Sequence, residues 1–476
     1  MSTGRRSRST AACRARIRSR FPGGEVRVAG GWPDVAAKGT AVKTQIVVVG
    51  GGAGGLELVR RLGAKLGRER FDVILVERNR THIWKPLLHE VAAGALDANL
   101  DEVGYGNHAH RWGYRFYFGS LETIDRQARQ IVVAPILDET GAELIGRHRI
   151  RYDYLVIAVG SVSNDFGTPG VAQYCLTLED REQADRFRLK LLDQCLRVSR
   201  TLAADPAADV HVDVAIVGGG ATGVELAAEL YNAASALKDY GLEVFDEKRL
   251  RVTLIEAGPR ILPALPEKLA TAAREELQTL GVRVLENTAV SEVTPGAMRT
   301  AAGEEIRADL KVWAAGVRGP EILRAMDGLE ATRNHQLVVT PTLQTTRDPR
   351  IFAIGDCCFF KAEGDEKPAP PRAQTAHQMA ATALDNILRL IRGEPLAAFV
   401  YRDRGSLVSL SRFSTVGSLM GNLVGGRMAI EGRLARLVYL SLYNLHLIGI
   451  HGWLKGVALI AVGHANQVVR PRLKLH

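Results

Sequence analysis

Cysteine is scarce: five in 476 residues (Cys13, Cys175, Cys195, Cys357 and Cys358), with no CxxC spacing. That argues against a disulfide framework or a thiolate zinc site, and a reducing compartment follows as the default. No apolar run of signal-peptide length opens the chain. Residues 1–43 instead hold ten Arg and Lys against Glu25 and Asp34, a surplus of eight, so the other 433 residues carry only +2 of the total +10. A charge confined in this way gives no support to a nucleic-acid partner. The Arg- and Ser-rich opening superficially resembles an organellar transit peptide, but the preferred reading is a basic disordered leader or a start codon set upstream of the natural one. Acid is missing at the other end too, since none of the 45 residues after Glu431 is Asp or Glu. A chain of this length is too long for one core, and two or three domains are expected.

The chain is organised around Ile46–Glu77. Four β-branched apolar residues run into Gly50-Gly51-Gly52-Ala53-Gly54-Gly55, a helical pattern follows (Leu56, Val59, Leu62, Leu66), and a second apolar run ends in Glu77. These are the parts of a dinucleotide-binding unit. Gly50 makes the tight turn, Gly52 lets backbone approach a pyrophosphate, and Gly55 lets the helix pack close on the strand. The phosphates would sit on the free N–H groups at the helix start, and Glu77 would accept from a ribose hydroxyl. A second unit repeats the pattern: strand Val212–Val217, a turn carrying Gly218, Gly220 and Gly223, a helix through Val224–Leu230, and a strand ending in Glu256. Two such units are far more specific than one. Glu256 would bond a free 2′-hydroxyl and repel a 2′-phosphate, so NADH is expected over NADPH.

Between and after these units lie shorter stretches. Lys85 offers a positive charge either to a flavin or its phosphates, or to a surface acid. His82 and His89 are expected as packed or hydrogen-bonded side chains, not metal ligands, because no third ligand stands at useful spacing; no metal site is expected. Tyr105–Arg149 reads as short strands and turns, with Phe116, Tyr117 and Phe118 in a sheet. Tyr154–Gly160 is a buried strand ending in Gly160, where backbone must pass close to something. Glu225, expected on the first turn of the second glycine-turn helix, either complements the helix dipole or faces a nicotinamide. Leu310–Gly316 ends in the small residues Ala315 and Gly316, which suit close approach of the nicotinamide half of the cofactor. Ile351–Asp356 returns the chain to the first nucleotide fold, with Gly355 among the cofactor-binding residues, and Asp356 would accept from the ribityl chain or hold water over the phosphates. A helix could begin at Cys357 and point at the flavin pyrimidine. The vicinal Cys357 and Cys358 suggest redox or copper chemistry, but adjacent cysteines make a strained disulfide, and a catalytic role is not favoured.

Near the C-terminus, Leu434, Leu437, Val438, Leu442 and Leu445 recur at helical spacing with Arg433, Arg436 and Asn444 on another face. This reads as an interfacial helix, apolar toward acyl chains and basic toward anionic headgroups. Leu437–Leu454 carries no formal charge and approaches spanning length, but Asn444, His446, Gly449, His451 and Gly452 interrupt it. Lying on the membrane is preferred to crossing it, and a core helix or homodimer contact is the soluble alternative.

With GGGAGGLE, HIWKPLLHEVAAGALD, GGGATGVELAAEL, VWAAGV, AIGDCC and PPRAQTAHQMA in that order, the chain from about Lys43 to His476 resembles the bacterial type II NADH:quinone oxidoreductases. The resemblance implies an α/β fold of two Rossmann-like domains of the flavoprotein disulfide-reductase type, plus a C-terminal membrane-associating region. The implied division is 44–204 and 336–395 for FAD, 205–335 for NADH and 396–476 for the membrane. It implies an enzyme with FAD and NADH as cofactors and a ubiquinone or menaquinone as acceptor, peripheral on the cytoplasmic face of the bacterial inner membrane and not pumping protons. The family's AQxAxQ quinone pattern stands here as Ala373, Gln374, Ala376 and Gln378, and Glu225 matches its nicotinamide-side carboxylate. From the residues alone, Gln374 and Gln378 share a helix face, and His377 either supplies a proton or packs beneath the flavin. Two rivals follow from the same features: a sulfide:quinone oxidoreductase, which needs cysteines flanking the flavin, and a non-catalytic NADH-binding redox sensor at the membrane surface.

Overall fold

The computed structural model describes residues 43–237, 245, 247–410, 414–421, 426–431 and 443–469. The basic leader before residue 43, most of the expected interfacial helix (432–442) and Arg470, Arg472 and Lys474 lie outside them.

The run TQIVVV forms β1 (Thr44–Val49), which feeds through the glycine turn into α1 (Ala53–Leu66) and then β2 (Phe71–Glu77). Both strands are buried along their second halves, as parallel strands covered on both faces must be. Helices α2 (Leu88–Ala93) and α3 (Tyr105–Trp112) precede β3 (Arg115–Phe118), and β4 (Tyr154–Ile157) follows. The chain then crosses to a second unit: α4 (Arg181–Ala204), β5 (Val212–Val217), α5 (Ala221–Ala236), β6 (Leu250–Ile255), β7 (Arg283–Leu285) and β8 (Leu310–Trp313). It returns with β9 (Gln344–Thr345), β10 (Asp348–Ala353) and the long α6 (Ala373–Arg392).

Two nucleotide-type sheets result. The first has the order β9-β10-β4-β1-β2-β3, with β10 pairing parallel to β4 through Leu155↔Ile351, so the late segment completes the sheet that the N-terminal segment began. The second has the order β7-β6-β5-β8, all parallel. In each, the strand before the glycine turn is central, which brings that turn to the carboxyl edge, where open α/β sheets bind ligands.

Three expectations are corrected. Tyr105–Trp112 is a helix, because Tyr105, His108 and Ala109 bury one face at helical spacing. No helix starts at Cys357: residues Gly355–Cys357 make a single 3-10 turn before the short strand Cys358–Phe359, and the next long helix starts at Ala373. The stretch 176–204 belongs with the second fold, not the first. Leu176 bridges to Val312 of β8, and α4, packed on α2 and β5, buries Phe187, Leu191 and Val198 in the core that β5 and α5 share. The C-terminal region opens with an antiparallel sheet, β11 (Gly405–Leu410), β12 (Ser414–Gly421) and β13 (Gly426–Glu431), whose first strand lies on α5. Helices α7 (443–451) and α8 (Trp453–Val469) follow, separated by Gly452 at φ +79°. That break divides the uncharged run Leu437–Leu454, and among the described residues no helix is long and apolar enough to cross a membrane.

Candidate functional site

The two glycine turns are near copies. Gly50 and Gly218 adopt φ +102° and +111°, and a Cβ on either would strike the carbonyl of Ala158 or Ala314 at 2.3 and 2.5 Å. Gly55 and Gly223 lie so close to the strand end that a Cβ would meet the Gly50 or Gly218 oxygen at 1.9 and 2.1 Å. Gly52 and Gly220, by contrast, face open space, with nothing within 4 Å of an added Cβ. Both α1 and α5 begin at these open glycines with no side-chain cap and no acid in the first turn. Each therefore presents uncapped N–H groups and the positive end of its dipole to the opening, which fits a pyrophosphate.

The strand-end acids are held alike. Glu77 accepts from the Gly51 N–H at 2.6 Å with one oxygen and from the Asn79 N–H and amide at 3.0 Å with the other. Glu256 accepts from Gly219 at 2.7 Å and Gly258 at 2.7 Å. Each carboxylate is thus fixed beside its turn, with lone pairs left for ribose hydroxyls. Tyr105 Oη donates to the Gly51 carbonyl at 2.7 Å, and His82 Nδ1 to the same oxygen at 3.0 Å. The first turn is therefore braced from outside by two side chains that sequence reasoning had not assigned to it.

Toward the other end of the first site, Gly160 at φ +72° leads into Ser161, whose hydroxyl donates to Asp356 at 2.9 Å. Burial raises the Asp356 acid, opposed by Ser161 and by the Lys85 charge. A Cβ on Gly355 would stand 3.4 Å from that of Ala376, and one on Gly54 of α1 would stand 2.9 Å from the Ala376 oxygen, so the start of α6 lies close to both turns of the first fold. Cys357 and Cys358 are separate buried thiols, not a disulfide; burial pushes Cys357 up to about 12 and raises Cys358 as well. Cys175, also pushed by burial to about 12, and Cys195, in the second core, are equally poor nucleophiles.

Glu225 is the fifth residue of α5, beyond its first turn, so a dipole-complementing role falls away. It is buried, accepts from the Ser409 N–H of β11 at 3.1 Å, and lies 3.5 Å from His89 of α2. Burial pushes its acid up to about 8, with help from Glu90 and Glu229. Burial lowers His89 to about 4. The pair is net neutral at pH 7, a protonated acid where an ionised one was expected. Ala315 and Gly316 follow β8, and Gly316 at φ +73° accepts from the Asn164 N–H at 3.2 Å.

Gln374 and Gln378 do share one face of α6, and both amides are engaged. Gln374 donates to the Gly405 carbonyl at 3.0 Å and accepts from the Arg404 N–H at 3.0 Å; Gln378 donates to the Arg402 carbonyl and accepts from its N–H, both at 2.9 Å. They clasp the segment leading into β11 like rungs of a sheet, and Arg372 adds an ion pair to Asp403 at 3.8 Å. His377, between them in sequence, turns to α1 and bonds Glu57. No local signal could have paired Glu57 with His377, because they meet only when α1 and α6 pack. The C-terminal α7 docks on the same face: His446 bonds His82 at 3.0 Å and lies 3.9 Å from the Trp84 ring, while the Ile450 carbonyl accepts from His108 at 2.7 Å.

The family model for the pyridine nucleotide-disulphide oxidoreductases matches residues 44–380. A type II NADH:quinone oxidoreductase from Haemophilus influenzae is 47% identical over 90% of this chain and 99% of its own length. One from Staphylococcus aureus is 29% identical over 81% and 92%. Among solved structures, NDH2 from Plasmodium falciparum in complex with NADH superposes with a TM-score of 0.75 at 20% identity, covering 91% of this chain and all of that one. The sulfide:quinone oxidoreductase of Aquifex aeolicus gives 0.65 at 20%, covering 86% and 92%; both show likeness of fold. From the length and identity of the Haemophilus match, on a fold with paired glycine turns and paired acids, the chain belongs to the type II NADH:quinone oxidoreductase family.

Proposed function

We propose that this chain oxidises NADH at its second glycine turn and, through FAD bound at its first, reduces a membrane quinone to quinol without pumping protons. The observation that carries this reading is the duplication: two uncapped helix starts, each beside an open glycine and a strand-end carboxylate. Gly50, Gly52, Gly55 and Glu77 hold the adenosine and pyrophosphate of FAD, with Lys85, Gly160, Gly355 and Asp356 lining its flavin end. FAD supplies a two-electron carrier between a hydride donor and a quinone. Gly218, Gly220, Gly223 and Glu256 hold NADH, and Ala315 and Gly316 leave room for its nicotinamide half. Glu225, neutral at pH 7, presents a hydrogen-bonding acid there without placing a full charge beside the transferred hydride.

Quinone approaches from the lipid side, where α6 and the segment it clasps border the first site. Gln374 and Gln378 shape this entrance by fixing residues 402–405, and either amide can exchange a backbone partner for a quinone carbonyl. Membrane contact falls to the C-terminal helices. Trp453 and Leu454 are 70% and 85% exposed beside Lys455, and Leu445, Val457 and Val462 add further exposed apolar surface. An amphipathic element of this kind lies in the interface, apolar side chains in the acyl boundary and cations toward anionic headgroups. The enzyme is thereby peripheral on the cytoplasmic face of the bacterial inner membrane, and the same apolar surface serves a homodimer when no membrane is present.

Gln374→Leu tests the entrance. It should slow reoxidation of the bound flavin by a short-chain ubiquinone at least about tenfold while sparing reduction by NADH; equal losses in both half-reactions would remove the glutamines from the quinone site. Deleting residues 430–476 should release the protein from vesicles, and retained binding would refute the anchor.

A further inference from the structure

Oxidation of NADH yields two electrons and one proton, carried together as hydride, whereas quinone becomes quinol by taking up two electrons and two protons. One proton per turnover must therefore come from water: NADH, a proton and quinone give NAD and quinol. A route for that proton needs an ionisable group that reaches solvent, stands at the junction of the flavin fold and the quinone helix, and keeps a fixed tautomer.

We propose that His377 is this relay and that Glu57 is its positioning residue. The pair meets across α1 and α6, with His377 Nδ1 2.5 Å from Glu57 Oε2. A carboxylate oxygen only accepts, so Nδ1 carries the proton and Nε2 is left as the ring's exchangeable site. Arg61 holds the other Glu57 oxygen at 3.0 Å, so the acceptor is itself fixed from one turn further along α1. Burial alone would raise the Glu57 acid, but His377 and Arg61 overcome this and hold it below the usual carboxylate range. The dyad keeps its negative half through the neutral range.

The surroundings suit a relay. Ring planes of Trp84 and His377 stack at 5.7 Å, and Trp84 adjoins Lys85, whose charge acts on Asp356. Ala376, the preceding residue, lies close to both turns of the first fold. His377 itself retains 27% side-chain exposure, so bulk water reaches it, while Glu57 at 17% is more sheltered. The titratable and charged groups facing the ring are Glu57 and Arg61 from α1, His82 from the strand after β2, and His446 from α7. Burial keeps both His82 and His446 neutral at pH 7, His82 at about 4 and His446 well below its ordinary value. Among these groups Glu57 is thus the one carrying charge that contacts the ring directly. The inference rests on the quinone position given above, and it adds a proton source to it.

The test is the solvent deuterium isotope effect on quinone reduction, expressed per bound flavin, in vesicle-bound holoenzyme with a short-chain ubiquinone. In Glu57→Gln the ring loses the acceptor that fixes its tautomer, so kcat should fall about tenfold with an isotope effect larger than the parent's. Glu57→Asp should restore the parent's rate and isotope effect. His377→Asn should lose at least as much as Glu57→Gln, and Glu57→Gln with His377→Asn should lose no more than His377→Asn alone, because the two act as a unit. Anaerobic reduction of the flavin by NADH should stay within about twofold in all of them, a split that lost packing would not produce. An unchanged rate and isotope effect in Glu57→Gln, or losses that multiply in the double variant, overturns the proposal. Should Gln374→Leu instead slow both half-reactions alike, the quinone position falls while the His377 and Glu57 variants are still read independently.

Discussion

Replacing Glu225 by Gln should stabilise the holoenzyme at alkaline pH while impairing hydride transfer. The residue is 7% exposed, and its acid rises from 4.5 to about 8, first through burial, with Glu90 and Glu229 adding and the Ser409 N–H opposing. Since the folded value is the higher one, stability from the neutral acid is fully present below pH 4.5 and is lost as the pH climbs through 8. Over that interval the unfolded chain gains an ionised glutamate and the folded chain does not. The whole interval corresponds to at most ~5 kcal/mol, and relaxation around His89 brings the expected gain for Gln to roughly 2 kcal/mol at pH 8. Glutamine keeps an oxygen for the Ser409 N–H and cannot ionise. Urea denaturation of parent and variant, both flavin-loaded, at pH 4.5 and pH 8 reads the difference. A higher midpoint for the variant at pH 8 with matching midpoints at pH 4.5 is expected. Matching midpoints at pH 8, or an equal gain at both, would refute a buried neutral acid.

Three further outcomes follow from the geometry. Gly55→Ala should yield protein without flavin, because its Cβ would stand 1.9 Å from the Gly50 oxygen; flavin content measured after release by heat checks this, and full occupancy would contradict it. Glu256→Ala should relax the preference for NADH by at least about tenfold in kcat/KM, and undiminished rejection of NADPH would show that another group discriminates. Acid should loosen α7: burial holds His82 and His108 at about 4, so their stabilising share is complete above pH 6.5 and is lost as the pH falls toward 4. Hydrogen exchange of residues 443–451 at pH 7 and pH 5 measures it, with faster exchange expected at pH 5 and unchanged protection as the contrary result.

The parts legible in the sequence were those whose physics is local. A glycine required by a tight turn, an acid at a strand end and an apolar run of β-branched residues each announce themselves within about thirty residues of chain, and the structure builds both units from them. Less was legible where long-range packing decides. Nothing near Glu225 says that Ser409 closes over it, or that its burial keeps it protonated. The antiparallel sheet of residues 405–431 is not legible because Gly and Ser interrupt the apolar pattern of its first two strands, and the fold that α4 joins is not legible because its apolar face reads the same whichever core it covers. Gln374 and Gln378 were placed on one helix face correctly, but the backbone segment that occupies their amides lies beyond the reach of any helical spacing rule.

Anaerobic stopped-flow spectroscopy of the purified, lipid-bound protein tests the central claim most directly. Two nucleotide folds passing electrons from NADH to quinone predict a yellow protein whose flavin band bleaches on mixing with NADH and returns on mixing with a short-chain ubiquinone, both at rates no slower than steady-state turnover. A protein that stays colourless after reconstitution with FAD, or whose reduced flavin persists in the presence of quinone, would contradict it.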